Sequence, residues 1–270
     1  MPFADANGVS LYYELVGSGE RLLCISGTGG DLRQQPRMDG PLAANFEVLA
    51  YDQRGLGQSS VPAWPYAMAD FADDAAALLD AVGWDDCAVL GVSFGGMVAQ
   101  EVAIRHPERV RRLVLACTSA GGAGGASYPL HQLAELNPEE RSAVRMGLID
   151  TRWDETWRRA NPEMVALLDE RMGLEGEGGT PAPGLTNQLA ARAGHDTADR
   201  LGSITCPTLV CGGRFDGIAP PANSEFLARA IPGARLEMFD GGHGFFVQDP
   251  SAFPAIIAFL AVGATERGAP

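Results

Sequence analysis

The sequence predicts an α/β fold, a mostly parallel central sheet flanked by helices and interrupted by a helical cap insertion. Three observations predict it. Short runs rich in Val, Leu, Ile and Tyr recur along the chain, and the later ones are almost continuously apolar, as strands buried on both faces must be. Helical patterns lie between these runs, and strands alternating with helices imply right-handed crossovers and a parallel sheet. From about Gly121 to Ala198 no strand-like run occurs and short helical patterns follow one another.

The elements follow in order. "VSLYYELVG" (9–17) alternates, with Val9, Leu11 and Tyr13 on one side, as an edge or antiparallel strand does. "RLLCISG" (21–27), "FEVLAYD" (46–52), "CAVLGVS" (87–93), "RRLVLACTS" (111–119), "CPTLVCGG" (206–213) and "ARLEMFD" (234–240) read as the remaining strands. The segment 70–84 sets Phe71, Ala75, Leu78, Leu79 and Val82 on one helical stripe. The next helix, 94–107, turns Met97, Val98, Val102 and Ile104 toward a core and stops at Pro107. The segment 220–233 opens with Pro220–Pro221 and closes at Pro232–Gly233, and 250–263 supplies the last helix. Within the insertion, "GGAGGASYP" reads as an exit loop. The segments 136–150, 154–160, 162–174 and 185–194 read as short helices, and "EGEGGTPAPG" (175–184) as a mobile loop. The expected division is therefore a core of 1–120 and 199–265, a cap of 121–198 and a tail of 266–270, with fraying from Ala264 onward.

Composition bounds the function. The chain has 270 residues, 46% of them hydrophobic, enough to bury a large core. A net charge of −14 disfavours nucleic acid and anionic membranes as partners. Arg109, Arg111 and Arg112 form a local surface cluster beside acids. The N-terminal stretch has no basic segment followed by an apolar one, so no secretory signal is expected. The apolar run "AFPAIIAFLAVGA" is 13 residues, too short to span a bilayer. Five cysteines form no C-x-x-C pair, which points to reduced, buried thiols in a cytoplasm. No Cys/His spacing supports a metal site, and no cofactor is expected.

Chemistry concentrates at Gly91-Val92-Ser93-Phe94-Gly95-Gly96, between a strand and an amphipathic helix. In G-x-S-x-G the central residue takes a strained conformation. The glycines two before and two after let strand and helix approach, and the serine hydroxyl is lifted above the sheet. The helix N-terminus beneath it favours a developing oxyanion. Ser93 is the candidate nucleophile, and a nucleophilic serine needs a base. Of four histidines, His106 reads as a helix C-terminal residue, while His131 and His195 read as solvent-facing in the insertion. His243, in "FDGGHGFFVQDP" after the final strand, is the candidate base. Asp216, in "RFDGIAPP" at the carboxyl end of the preceding strand, is the candidate orienting acid, with Asp240 as its rival. Two amides are needed to hold an oxyanion. Phe94 offers one, and the loop "SGTGGD" (26–31) offers the other at Thr28, with Gly29 as the alternative.

These residues resemble the α/β-hydrolase superfamily. The likeness rests on "YDQRGLGQSS", "GVSFGGMVAQEVAIRHPERVRRLVLACTSA", "GGRFDGIAPP" and "GGHGFFVQDP", and on the order Ser…Asp…His. Within the superfamily the chain looks most similar to bacterial carboxylesterases and 3-oxoadipate enol-lactonases. It departs at Ser26-Gly27, where the family often has His-Gly, and at Gly244, where related carbon–carbon bond hydrolases often carry Trp. Ser93 argues against members with an aspartate nucleophile, whereas cofactor-free perhydrolases share the triad. The resemblance implies a serine hydrolase acting on a small to medium apolar ester. An enol lactone is the second reading, and a non-catalytic ligand receptor of the same fold is a different class. Gly29, Met97, Tyr128, Trp153, Trp157, Met172, Phe245 and Phe246 are the candidates to line the substrate pocket, and Arg33 and Gln34 could meet a carboxylate.

Overall fold

The apolar runs are apolar throughout because the sheet they form is covered on both sides. The computed structural model describes residues 2–33, 39–172 and 183–261. Its strands are β1 (Phe3–Ala6), β2 (Val9–Gly17), β3 (Glu20–Ile25), β4 (Phe46–Tyr51), β5 (Cys87–Val92), β6 (Val110–Ala116), β7 (Thr208–Gly213) and β8 (Arg235–Phe239). They form one eight-stranded sheet in the order β1-β2-β4-β3-β5-β6-β7-β8. β1, β2 and β4 pair antiparallel, and every pair from β4 through β3 to β8 is parallel.

The helices are α1 (Asp39–Ala43), α2 (Met68–Ala81), α3 (Phe94–Arg105), α4 (Pro138–Ile149), α5 (Glu155–Ala160), α6 (Pro162–Met172), α7 (Pro183–Ala193), α8 (Pro221–Ala230), α9 (Phe245–Gln248) and α10 (Ala252–Ala261). Successive strand side chains point to opposite faces. Leu23, Ile25, Val89, Leu113, Leu115 and Val210 therefore join one core with Phe71, Val98, Val102 and Leu227 of α2, α3 and α8. Their neighbours Leu22, Ala88, Leu90, Val114 and Cys211 join another with Leu42, Ile256 and Phe259 of α1 and α10. Cys87, Cys117 and Cys211 are buried as expected, whereas Cys24 and Cys206 are only half-buried.

β1 is an addition to the strands read from the sequence. Asn7 and Gly8 both have positive φ, 52° and 73°, the backbone of a two-residue hairpin turn, and they fold Phe3–Ala6 back onto β2. The run is only four residues long, so its apolar pattern alone is too weak to mark a strand.

Between β6 and β7 the described residues form α4 to α7 and short 3₁₀ turns, with one isolated bridge, Gly121 to Asp196. The loop read at 175–184 lies outside the described residues except for its last two, which begin α7. The tail from Ala264 and Gln34 lie outside them altogether. Among the described residues no helix is long and apolar enough to cross a membrane.

The loop after β4 is held by a buried ion pair. Arg54 Nε and Nη2 meet the two carboxylate oxygens of Asp74 on α2 at 2.7 and 2.6 Å. The two side chains are 8% and 1% exposed. Asn7 Nδ2 donates to the same carboxylate at 3.0 Å and joins the β1–β2 turn to α2. Removing one member of such a pair strands the other charge away from water. Asp74→Ala is therefore expected to cost about 3–5 kcal/mol, read as a lowered urea-unfolding free energy.

Candidate active site

Three strand ends supply the site, all at the carboxyl edge of the parallel sheet, where open α/β sheets form their ligand crevices. β5 ends at Val92, and Ser93 caps α3 with φ 55° and ψ −114°. That conformation is costly for a residue with a side chain, and the surroundings enforce it. Ser93 N donates to Ala116 O at 2.8 Å, and Thr118 Oγ1 donates to Ser93 O at 2.7 Å. A Cβ at Gly91 would lie 2.3 Å from Gly95 O, and one at Gly95 would lie 2.0 Å from Ile25 O. Only glycine at both positions lets β5, the turn and α3 come this close.

β7 ends at Gly213 and leads to Asp216, which is buried. Its Oδ1 accepts from the amides of Ile218 and Ala219, both at 2.8 Å, which leaves Oδ2 for His243. β8 ends at Phe239 and leads to His243. His243 Nδ1 lies 2.8 Å from Asp216 Oδ2, and Nε2 lies 3.0 Å from Ser93 Oγ. An ionised carboxylate only accepts, so the proton sits on Nδ1 and Nε2 is left to accept from the serine hydroxyl. Asp240 takes no part: it is exposed and paired with Arg152 at 3.0 Å. Cys117, also beside Ser93, is held as a neutral thiol, because burial and then the Asp216 charge raise its pKa well above the ordinary value.

The triad loops are tied to the insertion. The carbonyls at the end of α4 accept from both: Ile149 O from His243 N at 2.6 Å and Leu148 O from Gly217 N at 2.9 Å. Gln248 Oε1 accepts from Gly242 N at 2.7 Å, and its Nε2 donates to buried Asp150 at 2.6 Å. The loop after β3 is braced from the opposite side. Gln53 Nε2 donates to Ser26 O at 2.8 Å, and the buried Asp52 carboxylate accepts from the amides of Leu32 and Gln58, both at 2.8 Å. Burial raises the Asp52 pKa, and those two amides counter it.

Gly29 N already donates to Gln188 Oε1 of α7 at 2.8 Å. Of the two amides read from that loop, only that of Thr28 is without an acceptor among the described residues. Phe94 N opens α3, where an amide has no carbonyl of its own helix to bond.

The candidate lining residues divide. The Phe94 ring is fully buried against Phe71, centroids 5.0 Å apart, and Met97 is buried in the same core. Phe245 is a correction. Its ring is fully buried, stacked between Phe239 at 4.9 Å and Phe246 at 4.2 Å, because the short α9 turns it down into the second core. Phe246 is half-buried and continues that stack toward Phe253. Trp153 and Trp157 pack around Met146, Ile149, Leu168 and Ile218, beside the Asp216 loop. Tyr128 is half-buried and its amide donates to Ile218 O at 2.7 Å. Arg33 is exposed and folds back on Asp31 at 2.7 Å.

Two further histidines fall as read: His131 is exposed, and His106 ends α3, where it contacts Asp73 at 2.8 Å. His195 is a correction. It is 6% exposed, drawn in because Thr197 N donates to Ala120 O and its own Nε2 reaches Ser119 O at 3.2 Å. Sequence reading also passed over Gln53, Asp150, Gln188, Arg192 and Gln248. Gln188 and Arg192 had a signal, polar side chains four apart within the helical pattern 185–194, whereas no spacing along the chain pairs Gln53 with Ser26 or Gln248 with Asp150.

Residues 20–250 match the family described as alpha/beta hydrolase fold. A protein of Azorhizobium caulinodans named for carbamate hydrolysis, RutD, is 32% identical over 94% of this chain and 95% of its own. A poly(3-hydroxyalkanoate) depolymerase of Ectopseudomonas oleovorans is 33% identical over 88% of this chain and 83% of its own. The crystal structure of the enol-lactonase from Burkholderia xenovorans LB400 superposes with a TM-score of 0.78 at 26% identity, covering 96% of this chain and all of that one.

His195 generates a pH prediction. Burial lowers its pKa from 6.5 to about 4, although Glu101 and Asp196 oppose this and Arg200 adds to it. As pH falls, the unfolded chain takes up this proton first. The stability associated with a neutral His195 is thus complete above pH 6.5 and lost toward about 4. The loss is on the order of 3 kcal/mol. Urea-unfolding free energies of the wild type should fall more steeply than those of His195→Gln between pH 7 and 4.5, and parallel curves would refute the assignment.

Proposed function

Because this chain belongs to the α/β-hydrolase family, we propose that it is a serine hydrolase cleaving a carboxylic ester of a small to medium apolar substrate through an acyl-enzyme intermediate. The observation that carries this reading is the continuous hydrogen-bonded path from Ser93 Oγ through the His243 ring to Asp216. In the proposed cycle His243 Nε2 takes the Ser93 proton as Oγ attacks the carbonyl carbon. Asp216 holds the ring's tautomer and balances the imidazolium. The amides of Phe94 and Thr28 receive the oxyanion, each donor worth about 3 kcal/mol of barrier. His243 then gives its proton to the leaving alcohol, and the same ring activates the water that releases the acid.

The helices between β6 and β7 serve in this reading as a cap over the site. The hydrogen bonds of His243 and Gly217 to the end of α4, and of Gly29 to α7, support that role. An enol lactone is the second reading, favoured by the likeness to the enol-lactonase structure. The relatives also make a polyester fragment and a carbamate worth testing.

The test uses 4-nitrophenyl acetate and butanoate with wild type, Ser93→Ala and Asp216→Asn. The wild type should release nitrophenol in a burst followed by turnover. Ser93→Ala should abolish the burst and lower turnover at least ~10³-fold, and Asp216→Asn should lower kcat ~10³–10⁴-fold. Turnover that survives Ser93→Ala refutes the serine mechanism. Binding without turnover in the wild type would mark a receptor. A panel of alkyl esters, enol lactones and carbamates then ranks the substrates by kcat/KM.

A further inference from the structure

Arg192 lies on α7 one turn after Gln188, and both are buried, 7% and 0% exposed. Its Nη1 donates to Tyr128 O at 2.9 Å. Its Nε and Nη2 are buried and have no acceptor among the described residues. Those two groups form the edge of the guanidinium that meets a carboxylate side-on. Elsewhere in this chain Arg33, Arg54, Arg105 and Arg152 use that edge on Asp31, Asp74, Asp73 and Asp150. Arg192 keeps the edge and lacks the aspartate. Burial lowers its pKa to about 10, so it remains a cation at neutral pH, without a counter-charge among the described residues. Such an arrangement is unfavourable unless an anion completes it.

Its surroundings relate it to the site. Gln188 Nε2, one turn away, is also buried without an acceptor, while Gln188 Oε1 holds the amide of Gly29. Tyr128, which receives Arg192, donates its amide to Ile218 O, and Ile218 N donates to Asp216 Oδ1. Gln188 on α7 thus holds the loop after β3, and Arg192, one turn on, is linked through Tyr128 to the loop that carries Asp216.

We propose that Arg192, with Gln188 beside it, binds a carboxylate on the acyl part of the substrate, so that the hydrolysed compound is an ester or lactone carrying a second, ionised carboxyl group. The acyl side follows from the tie between α7 and the loop that would hold the acyl oxygen. The inference rests on the serine-hydrolase reading, and it narrows the apolar substrate expected from the sequence to one with an anionic end.

The experiment compares monoethyl succinate, glutarate and adipate with neutral ethyl esters of matching chain length, followed by pH-stat. The wild type should favour one of the half-esters. Arg192→Met should lower the ratio of kcat/KM, best half-ester over matched neutral ester, ~100-fold, as loss of a bidentate charged pair does. Arg192→Lys, which keeps charge without the fork, should fall between. In parallel, titration calorimetry with glutarate on Ser93→Ala should show binding that the added Arg192→Met change removes. A wild type that treats both ester series alike, a ratio unchanged by Arg192→Met, or glutarate binding that survives it overturns the proposal. If no ester is turned over yet glutarate binding depends on Arg192, the hydrolase reading fails and the carboxylate site stands. Should Arg192→Met not fold, Arg192→Lys decides in the same assays: a ~10-fold lower ratio supports the proposal and an unchanged ratio refutes it.

Discussion

The site depends on how closely β5, the turn at Ser93 and α3 approach one another. With no side chain at Gly91 or Gly95, the backbone carbonyls of Gly95 and Ile25 occupy the space where a Cβ would stand. That proximity leaves Ser93 no ordinary backbone conformation, and it is held at positive φ by Ala116 O on one side and Thr118 on the other. The strain is sustained by the sheet: β5 lies between β3 and β6, apolar on both faces, and cannot shift to relieve it. From this fixed point the hydroxyl projects over the carboxyl edge, where the loops after β7 and β8 bring Asp216 and His243.

Those loops are positioned as much by the helical insertion as by the sheet. Two carbonyls at the end of α4 accept the amides of His243 and Gly217, so one helix end sets the spacing of the loops that carry His243 and Asp216. On the other side α7 holds the Gly29 amide through Gln188, so that amide is already engaged. The insertion therefore helps to position these loops. Among the described residues its buried Gln188, Arg192 and His195 keep unmet hydrogen-bonding capacity.

Much of the fold was legible because its signals are local and repeated. Period-2 burial on two covered faces makes continuously apolar strands, and the stripes on α2 and α3 match the buried residues Phe71, Leu78, Met97 and Val102. The four helices of the insertion, and the three side chains that the structure joins in one hydrogen-bonded chain, Ser93, His243 and Asp216, were legible for a related reason. Glycine spacing at 91 and 95, and the strand-then-loop settings of Asp216 and His243, are consequences of local geometry. The misreadings share the opposite cause. Phe245 follows the base by two residues, yet α9 turns its ring into a stack with Phe239. His195 reads as a loop residue, yet its loop is pinned to Ala120 and buried. β1 is too short for its pattern to register, and only the Asn7–Gly8 turn betrays it.

What the sequence by itself determined is the sheet-and-helix alternation, the strained serine turn and the identity of the three groups that could pass a proton, because each follows from spacing along the chain and the intrinsic preferences of the residues. What only the tertiary structure decided is which of two neighbouring amides is engaged, which carbonyls pin the loops of His243 and Asp216, and which buried arginine lacks an acid among the described residues. Those outcomes turn on contacts between segments up to 159 residues apart, such as Gly29 with Gln188, and no local preference encodes whether a buried donor has found its acceptor.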